Sequence, residues 1–345
     1  MKTHSSFSLA ILAIPLTLGF AAVADDLSFH PAKDAKSQKE LRIEAEFRVQ
    51  EASLTVNGEP LPGEMLDQIK SQEILISLAI DATETFLATK DGAPTDLLRS
   101  YDKLEATLDV GDESQSPDGA NELEGKVVRF QWDEKASEFN KTFHESKGDE
   151  SLLEDLIDDM EVRALLPSKK VAEGDTWDVD ADRMIALFFP GGVAAAVGDD
   201  TGDGPDMGEM SAELGEQMQE AFQAFKVTCI YKGTRDAGGT RVGEITFAYD
   251  GKADLDLDPI LEKVQESFGG GAPEMDFEAT ASMTLKGEGV LLWDVATGVM
   301  HSYEMTAKMG LDVNIQVHGE QQGQQFEVSL SGSMGGDVTW ELSRQ

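Results

Sequence analysis

The chain has 345 residues of which 40% are apolar, enough for one large core or two ordinary ones, so neither disorder nor a fibre is expected. Acidic residues outnumber basic ones 66 to 28, and the resulting net charge of −38 repels polyphosphate, which argues against nucleic acid as a partner. An aromatic share of 7% and a single cysteine exclude stacking platforms, intrachain disulfide frameworks and cysteine-rich metal sites.

Lys2, the apolar run from Leu9 to Phe20 and the small residues Ala22-Val23-Ala24 predict a secretory signal peptide over residues 1–24. The run is short and contains Pro15, so it does not suit a permanent membrane anchor. No cysteine follows it, which removes lipoprotein anchoring. The mature chain is therefore expected to be exported, to the periplasm or the medium, without a transmembrane anchor. Residues 25–40 are polar and lack periodicity, and they read as a flexible lead-in.

Order is expected from Leu41, where Leu41, Ile43, Ala45, Phe47 and Val49 alternate with polar residues, the period of a half-buried strand. Asn57-Gly58 and Asp91-Gly92 are hairpin signals, and further strands are expected over Ile74 to Leu87, Leu97 to Leu108 and Lys126 to Phe143. Short connections favour antiparallel pairing. Leu152, Leu153, Leu156, Ile157 and Met160 predict an amphipathic helix near 150–160 with Asp149 as its cap, and a second helix is expected over 181–189, ended by Pro190-Gly191-Gly192. These elements make up a first β-rich half, 41–198. Residues 199–210 read as an acidic linker.

The second β-rich half, 211–345, opens on a helix carrying Leu214, Met218, Ala221, Phe222 and Phe225, which feeds a strand with Val227, Cys229 and Tyr231 on one face. Cys229 is expected to be a buried, inert thiol. Alternation then returns through to a last strand near Val338 to Leu342, with one helix expected at about Pro259 to Phe268. Glu124-Gly125-Lys126-Val127 with Trp132-Asp133 resembles Gly287-Glu288-Gly289-Val290 with Trp293-Asp294, which hints at duplicated strand-turn-strand units. The expected fold is mainly β (α+β): an antiparallel sheet or half-barrel with a few amphipathic helices packed on it, built either as two lobes or as one curved sheet from two related halves.

Chemistry is sparse. Asp199, Thr201 and Asp203 before Gly204 resemble the start of a calcium loop, but Met210 stands where a bidentate glutamate is needed, so calcium at Asp199 and Asp203 competes with a plain solvated linker. Asp254, Asp256 and Asp258 share one strand face and read as a wet outer surface. The histidines show no metal-ligand spacing, Ser331-Gly332-Ser333-Met334-Gly335 is no nucleophile elbow, and Gly202, Gly204 and Gly208 are too embedded in aspartates to hold phosphate. With this many acids, a carboxylate pair for glycoside hydrolysis arises by chance and carries no signal. Met184 to Val197 is the most apolar stretch of the mature chain. Ile185, Leu187, Phe188 and Phe189 would carry an apolar ligand or partner surface, or else close the bottom of the sheet.

One string is more specific. Pro167-Ser168-Lys169-Lys170-Val171-Ala172-Glu173-Gly174-Asp175-Thr176-Trp177 resembles the P-x-K-x-V-x-x-G-D-x-W element of uncharacterised exported bacterial proteins of the planctomycete type, and Asp91-Gly92-Ala93-Pro94 with Arg99-Ser100-Tyr101-Asp102 is similar to a second element of such sequences. The resemblance implies a secreted β-rich protein and brings no catalytic residue, cofactor or substrate. Physically, the first string is expected to be a turn at Gly174-Asp175 that returns Trp177 to the core. The leading functional expectation is an exported, non-catalytic binding or envelope-associated protein that holds a small apolar ligand or a protein partner on the concave side of its sheet. The rivals are a secreted hydrolase using a carboxylate pair and an acidic calcium-binding protein.

Overall fold

The computed structural model describes residues 24–111, 113–116, 122–154, 156–192, 217, 221, 224–257, 261, 275–321 and 324–345. Among the described residues, thirteen strands form one antiparallel sheet. The first half of the chain supplies β1 (Ala35–Val56), β2 (Glu59–Pro60), β3 (Glu73–Lys90), β4 (Ala93–Val110), β5 (Glu113–Gln115), β6 (Val127–Asp133), β7 (Glu138–Phe143) and β8 (Thr176–Asp178). The second half supplies β9 (Lys226–Ala237), β10 (Thr240–Leu255), β11 (Met275–Asp294), β12 (Val299–Gln321) and β13 (Gln324–Arg344). Among the described residues the helical elements are α1 (Gly63–Lys70), α2 (Ile185–Phe188) and short 3₁₀ turns, and Gln217, Ala221 and Leu261 are also helical.

The strand order is β7-β6-β4-β3-β1-β13-β12-β11-β10-β9-β8, two meanders zipped together where the first long strand pairs with the last, from Lys39↔Arg344 to Val56↔Val328. The chain thus builds one sheet, not two lobes. The turn chemistry accounts for the register: Asn57 and Gly58 have φ of 54° and 78°, and Asp91 and Gly92 of 52° and 77°, the left-handed pairs that two-residue hairpins require. The two Trp-Asp strings also become intelligible. Asp133 accepts backbone N–H bonds from Lys135 and Ala136, and Asp294 accepts them from Ala296 and Thr297, so each aspartate caps a hairpin turn. Their tryptophans differ, Trp293 being buried and Trp132 exposed.

The sheet curls around its core. Phe86 on β3 and Trp293 on β11 are four strand positions apart, about 19 Å in a flat sheet. The single ring of Phe29 nevertheless lies 5.3 Å from Phe86 and 6.4 Å from Trp293. Phe29 and Leu27 come from the segment expected to be a flexible lead-in. Both are buried, Asp25 bridges to Val171, and β1 begins already at Ala35. The alternation of β1 runs back through Lys39 and Ser37, whose polar identities hide it in the sequence.

The stretch expected as a helix near 150–160 forms only a 3₁₀ turn, Glu150–Leu153, capped by Asp149 as expected. Its carbonyls find other donors: Lys141 Nζ donates to Glu154 O and Leu156 O, and Arg99 Nη1 donates to Ile157 O. The apolar stripe still packs, with Leu153, Leu156 and Met160 buried. The expected 181–189 helix splits into a 3₁₀ turn, Ala181–Arg183, and α2. Gly174 has φ of 91°, Asp175 accepts from Ala172 N, and Trp177 Nε1 donates to Leu165 O, so the string forms the expected turn, with Trp177 half-buried on β8. Cys229 is buried between Val227 and Tyr231, and burial, then the Asp178 charge, pushes its thiol up to about 12.

Candidate functional site

Two regions of the inner face differ in what covers them. At one end of the strands, residues 157–192, apart from the edge strand β8 that interrupts them, run across the sheet as a strap. Tyr303 OH donates to Leu187 O, Trp340 Nε1 donates to Phe188 O, and the Phe188 ring stands edge-on to Tyr249 at 5.5 Å and to Trp340 at 6.2 Å. Of the four residues expected to form an apolar surface, Leu187 and Phe188 are buried in this packing, whereas Ile185 and Phe189 are half-buried. The structure brings these four together as the underside of the strap. Asp199 and Asp203, the proposed calcium ligands, lie outside the described residues. Among the described residues, no group of three or more His, Cys, Asp or Glu side chains is placed to hold a metal ion.

Under the strap sits a buried ionic network. Lys39 on β1, Glu84 on β3 and Arg99 on β4 are almost wholly inaccessible. Lys39 Nζ pairs with Glu84 and lies 2.8 Å from Glu161 Oε1 on the strap, an ion-pair contact without hydrogen-bond alignment. Arg99 donates to Glu84 through Nε (3.0 Å) and Nη2 (2.7 Å), reaches strap carbonyls at Ile157 and Gly191, and stacks 4.7 Å from the Phe130 ring. Glu161 Oε2 accepts from Met300 N. Burial alone would raise the Glu84 carboxyl, but Lys39 and Arg99 outweigh it and hold the group below the ordinary glutamate value. Glu161 goes the other way, raised by burial and by the Glu84 charge against the pull of Lys39.

A second knot ties the strap to itself. Asp159 accepts from Glu161 N, Arg163 N and Arg163 Nε, and Asp158 also pairs with Arg163. Between these residues Val162 is held at φ 52°, a left-handed conformation that costs a β-branched residue on the order of 1–3 kcal/mol. The buried carboxylates are thus matched to cations, and what they do physically is anchor the strap to β1, β3, β4 and β12. These charges were missed in the sequence, although one signal was there: each of Lys39, Glu84 and Arg99 occupies the apolar parity of its strand.

Past the strap the inner face opens. On β12 the inner row runs Tyr303, Met305, Ala307, all buried, then Met309, Leu311, Val313, Ile315, Val317, all half-buried. On β13 it passes from buried Trp340 and Val338 to Met334, Gly332, Leu330 and Val328. The same transition occurs on β1 beyond Phe47, at Val49, Ala52, Leu54 and Val56, and on β3 below Ile80, at Leu78, Ile76 and Ile74. Cross-strand register makes these rows one surface, since Leu54 pairs with Leu330 and Leu330 with Ile315. From Met309 to Val317 this apolar trough is about 26 Å long at about 3.3 Å per residue. None of these inner-row residues is ionisable.

The outer face has a groove of about 810 Å³ across β1, β13, β12, β11 and β10. Its cations, Arg48, Lys252, Lys286 and Lys308, are balanced by Glu46, Asp250, Asp312 and Asp337, and Lys286 sits 2.9 Å from Asp250. Such a groove is open, wet and locally neutral, with little to favour a charged ligand. Asp254 and Asp256 lie on the same exposed outer row.

No protein-family model matches the chain, and no curated protein does. Among solved structures, the chain is similar to the outer membrane protein OprG from Pseudomonas aeruginosa, at 8% identity over 93% of this chain and 100% of that one, with a TM-score of 0.19. It is also similar to an outer membrane channel from Pseudomonas putida F1, at 9% identity over 91% and 97% of the two chains, with a TM-score of 0.19. At such scores the likeness carries no argument about fold or function. No helix among the described residues is long and apolar enough to cross a membrane.

Proposed function

We propose that this is an exported, non-catalytic binding protein of the cell envelope or its surroundings, and that it holds the acyl chain of a lipid-like ligand along the open end of the inner face. One observation carries the reading: the inner rows of β1, β3, β12 and β13 remain wholly apolar beyond the strap, and among the described residues no other element covers them. A sheet face of this kind is normally buried against another element, and an uncovered apolar concavity is the usual form of a site for an apolar ligand. The curl of the sheet and the strap closing one end favour a ligand lying along the strands. With no ionisable side chain on these rows, selectivity would come from shape and chain length, not from headgroup recognition.

The test is a titration with fluorescent fatty acids of increasing length. Each methylene withdrawn from water contributes about 0.8 kcal/mol, so two more methylenes tighten binding by roughly tenfold until the trough is filled. Leu330→Asp and Ile315→Asp, at half-exposed positions, should abolish binding while thermal unfolding stays cooperative. Binding that ignores chain length, or survives both substitutions, would overturn the proposal.

A further inference from the structure

The boundary between the covered and uncovered parts of the inner face falls on one cross-strand row. Phe47 is the last buried residue on the inner row of β1, while its register partner Gly336 and, next across, Met309 are the first half-buried positions on β13 and β12. Behind this row lie Ala45, Val338 and Ala307, which are buried and short. In front of it lie Val49, Met334 and Leu311, which are half-buried.

Phe47 bars the floor at the boundary. A Cβ on Gly336 would overlap both Phe47 Cδ1 and Glu46 O, so the ring leans across onto β13 and takes the space that a side chain at Gly336 would fill. Glycine inside a strand gives up packing and chain entropy, and it often marks a place where another group comes close. At Gly336 that group is the Phe47 ring. Gly332, on the same inner row, has no such occupant among the described residues. A Cβ there meets only a backbone oxygen, Glu51 O at 3.3 Å, and no side chain. Its cross-strand partners Ala52 and Val313 are also short, which leaves a hollow between the Met334–Leu311 row and the Leu330–Ile315 row.

We propose, on the acyl-chain reading of the trough, that Phe47 and Gly332 set the length of the chain it accepts: Phe47 is the stop at the closed end, and Gly332 is the clearance through which a chain passes to reach it. Gly332 lies about 13 Å from Gly336 along β13 at about 3.3 Å per residue, so a side chain there would divide the trough near its middle. A smaller residue in place of Phe47 would open the trough onto Ala45, Val338 and Ala307, a further row about 6.6 Å along the strands.

The full chain is titrated with fluorescent fatty acids of even chain length, and the readout is the length at which tightening stops. Phe47→Ala should move that stop to longer chains, so that the first step that is flat in the wild type becomes about tenfold. Gly332→Val should move it to shorter chains: short acids keep their affinity and the longest lose at least about tenfold. The milder Phe47→Leu and Gly332→Ala should move it the same ways by less, and they carry the test where the larger change prevents folding. Val227→Ala, at a buried position on β9 away from the trough strands, should leave the stop where it is. A purely structural role for Phe47 or Gly332 would weaken all lengths alike. An unmoved stop in the Phe47 variants or in the Gly332 variants would therefore overturn the proposal, as would a shift in Val227→Ala equal to that in Phe47→Ala. Absence of wild-type binding at every length would overturn the acyl-chain reading and the length assignment with it, whereas length-dependent binding with an unmoved stop overturns the length assignment alone.

Discussion

Replacing Glu84 with glutamine tests how the strap is held. The side chain has no exposure and accepts from Lys39 Nζ and from two nitrogens of Arg99. The wild-type quartet sets two cations against Glu84 and Glu161, so Glu84→Gln leaves one buried positive charge uncompensated. Breaking a buried pair from one side costs about 3–5 kcal/mol, a large share of the roughly 5–15 kcal/mol that typically holds a folded domain. Glu161→Gln also leaves one cation in excess but removes a single ion-pair contact in place of three hydrogen bonds, so it should cost less, about 1–3 kcal/mol. Lys39 then keeps Glu84, an amide oxygen can still accept from Met300 N, and the lost charge is one that burial already disfavours.

The assay is urea unfolding of the two variants across pH. Because the folded-state value of Glu84 is depressed, its contribution is present above the unfolded value of 4.5 and is lost as pH falls through the lower folded value. The gap between wild type and Glu84→Gln should therefore be full at neutral pH and close below pH 4.5. Glu161 has the opposite sign. Its raised value favours the folded state below 4.5 and costs stability as pH rises, which partly offsets Glu84. A neutral-pH cost below about 1 kcal/mol for Glu84→Gln, or a larger cost for Glu161→Gln, would refute the assignment of Glu84 as the anchor.

Three further outcomes follow from the geometry. Phe188→Ala empties a buried site ringed by Tyr249 and Trp340 and should cost about 3–5 kcal/mol in the same unfolding assay; a cost near zero would mean that the strap does not pack there. Cys229 should stay unreacted with a colourimetric thiol reagent at pH 8 in the native protein and react fully in denaturant, because it is buried and its thiol is pushed up to about 12; prompt native labelling would contradict that burial. Gly298 has φ of 65° at the β11–β12 turn, and a Cβ there would overlap the His30 ring, so Gly298→Ala should lower stability by about 2 kcal/mol, and an unchanged melting temperature would show the turn relaxing freely.

Where side chains alternate cleanly, the sequence was a sufficient guide. The strands through Leu41 to Val49 and Val227 to Tyr231, the Asn57-Gly58 and Asp91-Gly92 turns and the buried cysteine all follow from local period and turn chemistry. What escaped was set by distant partners. Lys39, Glu84 and Arg99 look like surface charges until β1, β3 and β4 are laid side by side, and only then does the strap bring Glu161 over them. Leu27 and Phe29 sit in a polar stretch with no period, and they are ordered because Phe29 fills the space between β3 and β11. The apolar stripe from Leu152 to Met160 was read correctly as buried but wrongly as helical, because its carbonyls are claimed by Lys141 and Arg99 from other strands. The trough was half visible: its rows are plain alternation, but nothing local says where the strap stops covering them.

Tryptophan quenching by a brominated fatty acid reads directly whether an apolar ligand lies on the inner face beyond the strap. Leu330 and Ser331 are neighbours on β13 whose side chains leave opposite faces of the sheet. Emission from Leu330→Trp should be quenched on adding the brominated chain, and emission from Ser331→Trp should be unchanged. Equal quenching of both, or quenching of Ser331→Trp alone, would place the ligand elsewhere and contradict the account.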